Sequence, residues 1–307
     1  MSDLFPDRLL AAIAKKGSPI CVGIDPIYEL LPDAVLPGAR NPDDAEAAVD
    51  AIFKFTTAVL KIVAPHVPIV KFQSAYFEKY LWEGVEAYYS LVQEAKELGL
   101  LVIGDVKRGD IGSTSSAYAA AHLAEPQFDE MDDVITPDAI TVNPMLGLDT
   151  LEPFIKAAKD YDKGMFVLVR TSNPGSAELQ DVKLADGRTW SEALADRLAP
   201  LAADKALVGD SGYSALGAVV GATQTAQIES LRHRLPKSIF LLPGYGTQGA
   251  TADMTRAAFT NGQGAIVSAS RSILYAHRDK KHAEKKDWQA AVLAAVEEMK
   301  TDLVGIV

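Results

Sequence analysis

Charged and hydroxyl-bearing residues recur along this chain where short apolar runs end: Asp25 after ICVGI, Lys71 in PIVKF, Arg170 with Ser172 after MFVLV, and Ser270 with Arg271 after AIV. The densest group is LLVIGDVKRGDIGST, residues 100–114. Asp105 and Lys107 are two apart, so on an extended strand both side chains point to the same side. Asp110 follows in the loop, and Lys71 ends a neighbouring strand. Burying two lysines and two carboxylates costs heavily unless the charges pair. One outcome is a salt-bridge layer that merely closes one end of the fold. The other is a lysine kept charged by flanking carboxylates, and so a proton donor, in a set of four groups that titrate together.

The elements that must position these residues follow from hydrophobic patterning. Eight short runs rich in Val and Ile read as strands buried on both faces: Ile20–Ile24, Pro68–Phe72, Leu100–Val106, Ala139–Asn143, Met165–Val169, Ala218–Gly221, Ile239–Leu242 and Ala265–Val267. Helical periodicity is expected over the first residues up to Gly17 and over Asp43–Val63, with an Asn41-Pro42 start signal. It recurs over Val85–Leu98, Trp190–Ala203, Thr223–Leu235, Asp253–Asn261 and Asp287–Leu303. Strands alternating with helices predict a (β/α)₈ TIM barrel, a parallel eight-stranded barrel of typically about 250 residues. The excess length is expected in loops, chiefly an insertion at Asn173–Arg188 placed to act as a lid, and residues 1–307 read as one domain. In such a barrel reactive groups gather at the carboxyl ends of the strands.

Composition narrows the function classes. Hydrophobic residues make up 48% and charged residues 23%, which excludes a disordered chain. The 30 Lys and Arg against 41 Asp and Glu leave a net charge of −11, unfavourable for nucleic-acid binding that rests on neutralising phosphates. Any anionic ligand must therefore be held by a local cluster of donors. One cysteine, Cys21, excludes an intrachain disulfide and a multi-cysteine metal site; it reads as a small apolar strand residue. The five histidines show no metal-ligand spacing. No signal peptide or bilayer-spanning run is legible, and a cytoplasmic protein is expected.

Asp-Val-Lys-Arg-Gly-Asp-Ile, residues 105–111, resembles the D-x-K-x-x-D-I signature of orotidine 5′-phosphate decarboxylases, and the adjoining IGSTSSAYA is similar to their longer bacterial branch. The resemblance continues in order through CVGIDP at 21–26, VKFQ at 70–73, TSNPGS at 171–176, PGYGTQG at 243–249 and SASRSI at 268–273. It implies decarboxylation of orotidine 5′-phosphate to uridine 5′-phosphate in pyrimidine biosynthesis, with neither cofactor nor metal. By similarity Lys107 is electrostatic partner and proton donor to C6. Asp105 holds its ammonium, and Lys71 completes the charge network. Asp25 matches a group that holds the ribose hydroxyls, and Ser172 one that bonds the pyrimidine ring. Asp110 and Thr114 match residues that cross into the neighbouring site of a homodimer.

The loops after the seventh and eighth strands carry Pro243, Gln248, Ser270 and Arg271, where such barrels bind phosphate. Gln248 matches a glutamine that reaches over the ligand to the phosphate. The stretch 244–249 is also a literal G-x-G-x-x-G. A dinucleotide-binding reading lacks the acidic residue expected about 20 positions on and the chain for a doubly wound sheet. A Mg²⁺-dependent sugar-phosphate decarboxylase or aldolase of the same superfamily, which reuses a similar motif, is the alternative within the fold. A barrel that binds nucleotide without catalysis is a third.

Overall fold

Eight parallel strands close into one barrel in the computed structural model, which describes residues 4–36, 44–124, 128, 131, 134–223, 225–246, 249–282 and 287–306. The strands are β1 (Ile20–Ile24), β2 (Ile69–Gln73), β3 (Leu101–Arg108), β4 (Ala139–Val142), β5 (Gly164–Arg170), β6 (Ser214–Val220), β7 (Ser238–Pro243) and β8 (Ala265–Ala269). They are paired in sequence order, and β8 returns to β1. The expected (β/α)₈ class is the observed one. The closed sheet also disposes of the dinucleotide-binding alternative, which needs an open, doubly wound sheet.

The long helices are α1 (Phe5–Lys16), α2 (Ala45–Val63), α4 (Leu81–Glu97), α5 (Gly112–His122), α6 (Glu152–Asp160), α8 (Trp190–Ala202), α9 (Thr225–Arg234) and α12 (Trp288–Asp302). Single turns α3 (Ala75–Glu78), α7 (Ala177–Gln180), α10 (Ala252–Thr255) and α11 (Arg271–Leu274) lie between them. Local sequence starts several of these helices. Asp44 caps α2 by accepting from Ala47 N–H at 3.0 Å, and Asp287 caps α12 at 2.7 Å from Ala290 N–H. Thr189 and Glu192 form a reciprocal capping box on α8.

Two of the long helices were not legible in the sequence. Helix α5 buries only Ser115 and Ala119 and so has no apolar stripe; α6 is nine residues long. Strand β6 begins four residues before the expected start, because its first half carries the small residues Ser214, Ala215 and Gly217. The expected helix Asp253–Asn261 is instead α10 followed by a 3₁₀ turn at Arg256–Ala258. The Asn41-Pro42 start signal lies outside the described residues.

Inside the barrel, Cys21, Ile69, Ile103, Phe166, Ile239 and Ile266 form an apolar layer at the amino end of the strands. Helix α1 closes that end from below with Phe5, Leu9, Leu10 and Ile13. Phe5 meets Phe166 edge-on at 6.0 Å, and Gly164 admits it, since a Cβ there would lie 2.3 Å from the Phe5 ring. The layer seals the bottom and leaves the polar residues of the same strands stacked toward the carboxyl end.

Candidate active site

Successive inward positions on β2 and β3 pass from apolar to charged: Ile69, Lys71 and Gln73 on one strand, Ile103 and Asp105 on the next. The two strands are in register, so Gln73 lies opposite Asp105. Four donors converge on the Asp105 carboxylate. Lys71 Nζ at 2.7 Å and Gln73 Nε2 at 2.9 Å donate to Oδ2; Lys107 Nζ at 2.6 Å and Thr141 Oγ1 at 2.8 Å donate to Oδ1. Both oxygens thus have their lone pairs occupied.

Burial divides the two lysines. Lys71 and Asp105 are each 6% exposed, whereas the Lys107 side chain is 45% exposed and reaches into open space. Burial opposes ionisation of Asp105, but Lys71 and then Lys107, through charge and hydrogen bonds, hold its carboxyl well below the usual carboxylate range. Burial likewise works against the Lys71 ammonium, and Asp105 and Asp25 outweigh it, raising Lys71 above the ordinary lysine value. The buried pair is therefore an ion pair across the whole physiological range.

The expectation that Asp105 and Lys107 share a side holds, though not by simple strand alternation. Between Gly104 and Arg108 the pairing of β3 with β4 is interrupted: four steps on β3 match two on β4, from Ile140 to Val142. This bulge sets residues 105–107 against Thr141 alone. Lys107 takes φ +47°, a left-handed conformation that costs a non-glycine residue roughly 1–2 kcal/mol. Backbone strain of this kind gathers at functional sites.

A cavity of about 410 Å³ opens at the carboxyl ends of the strands, lined by Asp25, Lys71, Asp105, Lys107, Ser172, Pro243, Ser270 and Arg271, all singled out in the sequence. Asp25 Oδ1 is buried with no hydrogen-bond partner among the described residues, which leaves an acceptor in the cavity wall. Gly23 makes room for Ser270, whose Oγ would lie 1.9 Å from a Cβ at that position. In the loop after β7, Gly244 and Gly246 take positive φ (+111° and +74°), and Tyr245 Oη donates to Asp302 of α12 at 2.7 Å. Tyr245 thus ties the loop to the last helix. Gln248 lies outside the described residues.

Asp110 and Thr114 are not brought into this cavity. Asp110 accepts from the N–H of Ile111 at 2.7 Å, and Thr114 stands exposed on the first turn of α5. Arg108 and Gly109, inside the signature, have local roles. Arg108 pairs with Glu78 at 2.5 Å and lies over the Tyr118 ring at 5.5 Å. A Cβ on Gly109 would come within 2.5 Å of Asn143 O.

The sequence missed Gln73, Thr141, Thr171 and Asn173, which also line the cavity. Gln73 was within reach, as the polar end of VKFQ two residues beyond Lys71; a threonine inside an apolar strand gives no comparable signal. The role of Arg170 was also hidden. It forms a two-pronged pair with Asp181 (2.8 and 2.9 Å) and donates to Ser176, while Gln227 of α9 reaches Asp181 at 3.1 Å. Thr171 N–H donates to Gln180 at 2.7 Å. The inserted segment, expected as a lid, is thus fastened at its root beside Ser172.

Larger volume does not mark the chemistry. A groove of about 720 Å³ on α4 and α5 is lined mainly by apolar side chains such as Trp82, Val85 and Tyr89, with Glu86 the acidic one. No cluster of three or more His, Cys, Asp or Glu side chains that could hold a metal is present among the described residues. No helix among them is long and apolar enough to cross a membrane.

Comparison with known proteins agrees with the cavity. Residues 18–286 match the family described as "Orotidine 5'-phosphate decarboxylase / HUMPS family". An orotidine 5′-phosphate decarboxylase of Rhodopirellula baltica is 42% identical over 98% of this chain and 99% of its own. One from Caldicellulosiruptor bescii is 38% identical over 91% and 92%. The solved structure of Leishmania donovani OMP decarboxylase superposes with a TM-score of 0.70 at 28% identity, covering 99% of this chain and 98% of that one. The superfamily's Mg²⁺-dependent alternative is not favoured by these relatives, nor by an Asp105 whose oxygens are already filled by donors. With its barrel, its ordered strand-end motifs and its full-length relatives, the chain belongs to the orotidine 5′-phosphate decarboxylase family.

Proposed function

We propose that this cavity decarboxylates orotidine 5′-phosphate to uridine 5′-phosphate and CO₂ without cofactor or metal. The observation that carries the reading is the Asp105 carboxylate clamped between Lys71 and Lys107 at the floor of a cavity that Arg271 also lines. In the reaction the bond from C6 to the carboxylate breaks, CO₂ leaves, and the electron pair stays on C6. The Lys107 ammonium faces that charge and then passes its proton to C6. Asp105 fixes the ammonium at 2.6 Å, while Lys71 keeps Asp105 ionised. Arg271, with the backbone of the Pro243–Gly246 loop and Ser270, takes the phosphate; Gln248 is assigned to the same end. Asp25 accepts from the ribose hydroxyls through its unpartnered oxygen, and Ser172 bonds the ring.

The chain works, in this reading, as a homodimer with shared sites. Asp110 and Thr114 lie outside the cavity of their own barrel, which supports their serving a partner's. In the loops after β3 and β4 the large apolar side chains Ile111, Met145 and Leu146 are 62%, 64% and 57% exposed, a surface suited to burial between two copies.

The test is loss of orotate absorbance when purified protein meets orotidine 5′-phosphate in EDTA. Turnover is expected; its absence overturns the assignment, and turnover that EDTA abolishes favours the metal-dependent alternative. Mixing Asp105→Asn and Asp110→Asn chains should restore activity, since one site of each mixed dimer then carries both carboxylates. No recovery despite subunit exchange contradicts sharing.

A further inference from the structure

Thr141 sits in the middle of β4, is 1% exposed, and is the residue the bulge leaves alone against residues 105–107. In a regular parallel ladder the Lys107 N–H would find a carbonyl on β4. Here the ladder is interrupted, and the N–H donates to Thr141 Oγ1 at 3.0 Å. The same hydroxyl has one proton, which it donates to Asp105 Oδ1 at 2.8 Å. Lys107 Nζ is on that oxygen too, at 2.6 Å. One buried hydroxyl therefore closes a ring through the backbone of Lys107, its ammonium and the carboxylate that orients it.

We infer that Thr141 is a positioning residue for proton delivery: it holds Lys107 in its left-handed conformation and sets the Asp105 oxygen on which the ammonium rests. The inference rests on the decarboxylase reading for its kinetic consequence but not for its structural one. A left-handed lysine persists only where its surroundings over-determine it, and the Thr141 hydroxyl bonds both the Lys107 backbone N–H and the carboxylate under its ammonium. A threonine whose hydroxyl only filled space could be replaced by valine, which has the same shape, at little functional cost; the two hydrogen bonds are what valine would remove.

The experiment compares Thr141→Val, Thr141→Ser and wild type by two readouts. Hydrogen exchange of the Lys107 amide, measured without substrate, should quicken at least about tenfold in Thr141→Val and stay near wild type in Thr141→Ser. In steady-state turnover of orotidine 5′-phosphate, kcat should fall about 10- to 100-fold in Thr141→Val with KM within about threefold, and Thr141→Ser should recover most of it. Unchanged exchange, a loss confined to KM, or equal rates for Val and Ser would each overturn the inference. Should Thr141→Val fail to fold, Thr141→Ala takes its place with the same expectations. If wild type shows no turnover, the decarboxylase reading fails, while the exchange comparison still decides whether Thr141 holds Lys107.

Discussion

Replacing Asp105 by Asn should invert the alkaline pH dependence of stability. At 2.7 Å and an effective dielectric constant near 20, the Lys71–Asp105 attraction is about 6 kcal/mol. Removing two ions from water costs several kcal/mol each, so the pair contributes little net stability. Removing one partner is different. Lys71, 6% exposed, would keep Asp25 as its nearby acidic neighbour among the described residues, and an uncompensated buried charge costs about 3–5 kcal/mol. At roughly 2 °C per kcal/mol for a chain this long, Tm should fall by roughly 6–10 °C at neutral pH. The sign of the pH dependence is the sharper test. In the wild type Lys71 is raised above its unfolded value, so its contribution is present below about pH 10.4 and is lost as pH rises through the folded value. In Asp105→Asn burial wins and Lys71 is lowered instead. The penalty then applies at neutral pH and fades as pH rises toward about 10.4. Calorimetric melts from neutral pH to about pH 10 should show the variant gaining Tm while the wild type stays level. Parallel curves, or a loss below about 1 kcal/mol, would refute the reasoning. Adding Lys71→Met to Asp105→Asn should recover part of the loss.

Three further outcomes follow from the geometry. Lys107→Gly should melt above Lys107→Ala by about 1 kcal/mol, because only glycine is at ease at φ +47°; the reverse order contradicts the strain. Cys21, fully buried with its thiol pushed up to about 12, should resist thiol reagents in the folded protein and react only on unfolding, and ready labelling would place it elsewhere. Asp181→Asn should loosen the segment rooted at Arg170 and speed limited proteolysis between residues 173 and 188; unchanged cleavage would show that the pair does not fasten it.

The fold was legible because its strands are short, apolar and buried on both faces, and because charged residues mark where they end. Lys71, Asp105, Lys107 and Arg271 could be seen on those grounds alone. What stayed hidden depends on register. The bulge that sets Thr141 against residues 105–107 arises from pairing between two strands; Gly104, inside the LLVIGDV run, is its local mark, and it does not tell which residue of the neighbouring strand the bulge will face. Arg170 looked like another strand-end donor for a ligand, yet its partner Asp181 lies in the insertion, where no local pattern reveals a contact. Helix α5 was missed because its outer face is exposed and built of small residues.

The most direct measurement is turnover of orotidine 5′-phosphate by wild type and Lys107→Ala, side by side and in EDTA. The Lys107 side chain is 45% exposed, so its loss should leave the fold standing. Wild type should convert the substrate, and Lys107→Ala should lose at least about 10³-fold in kcat. A folded Lys107→Ala protein within about tenfold of wild type would contradict its role as charge partner and proton donor.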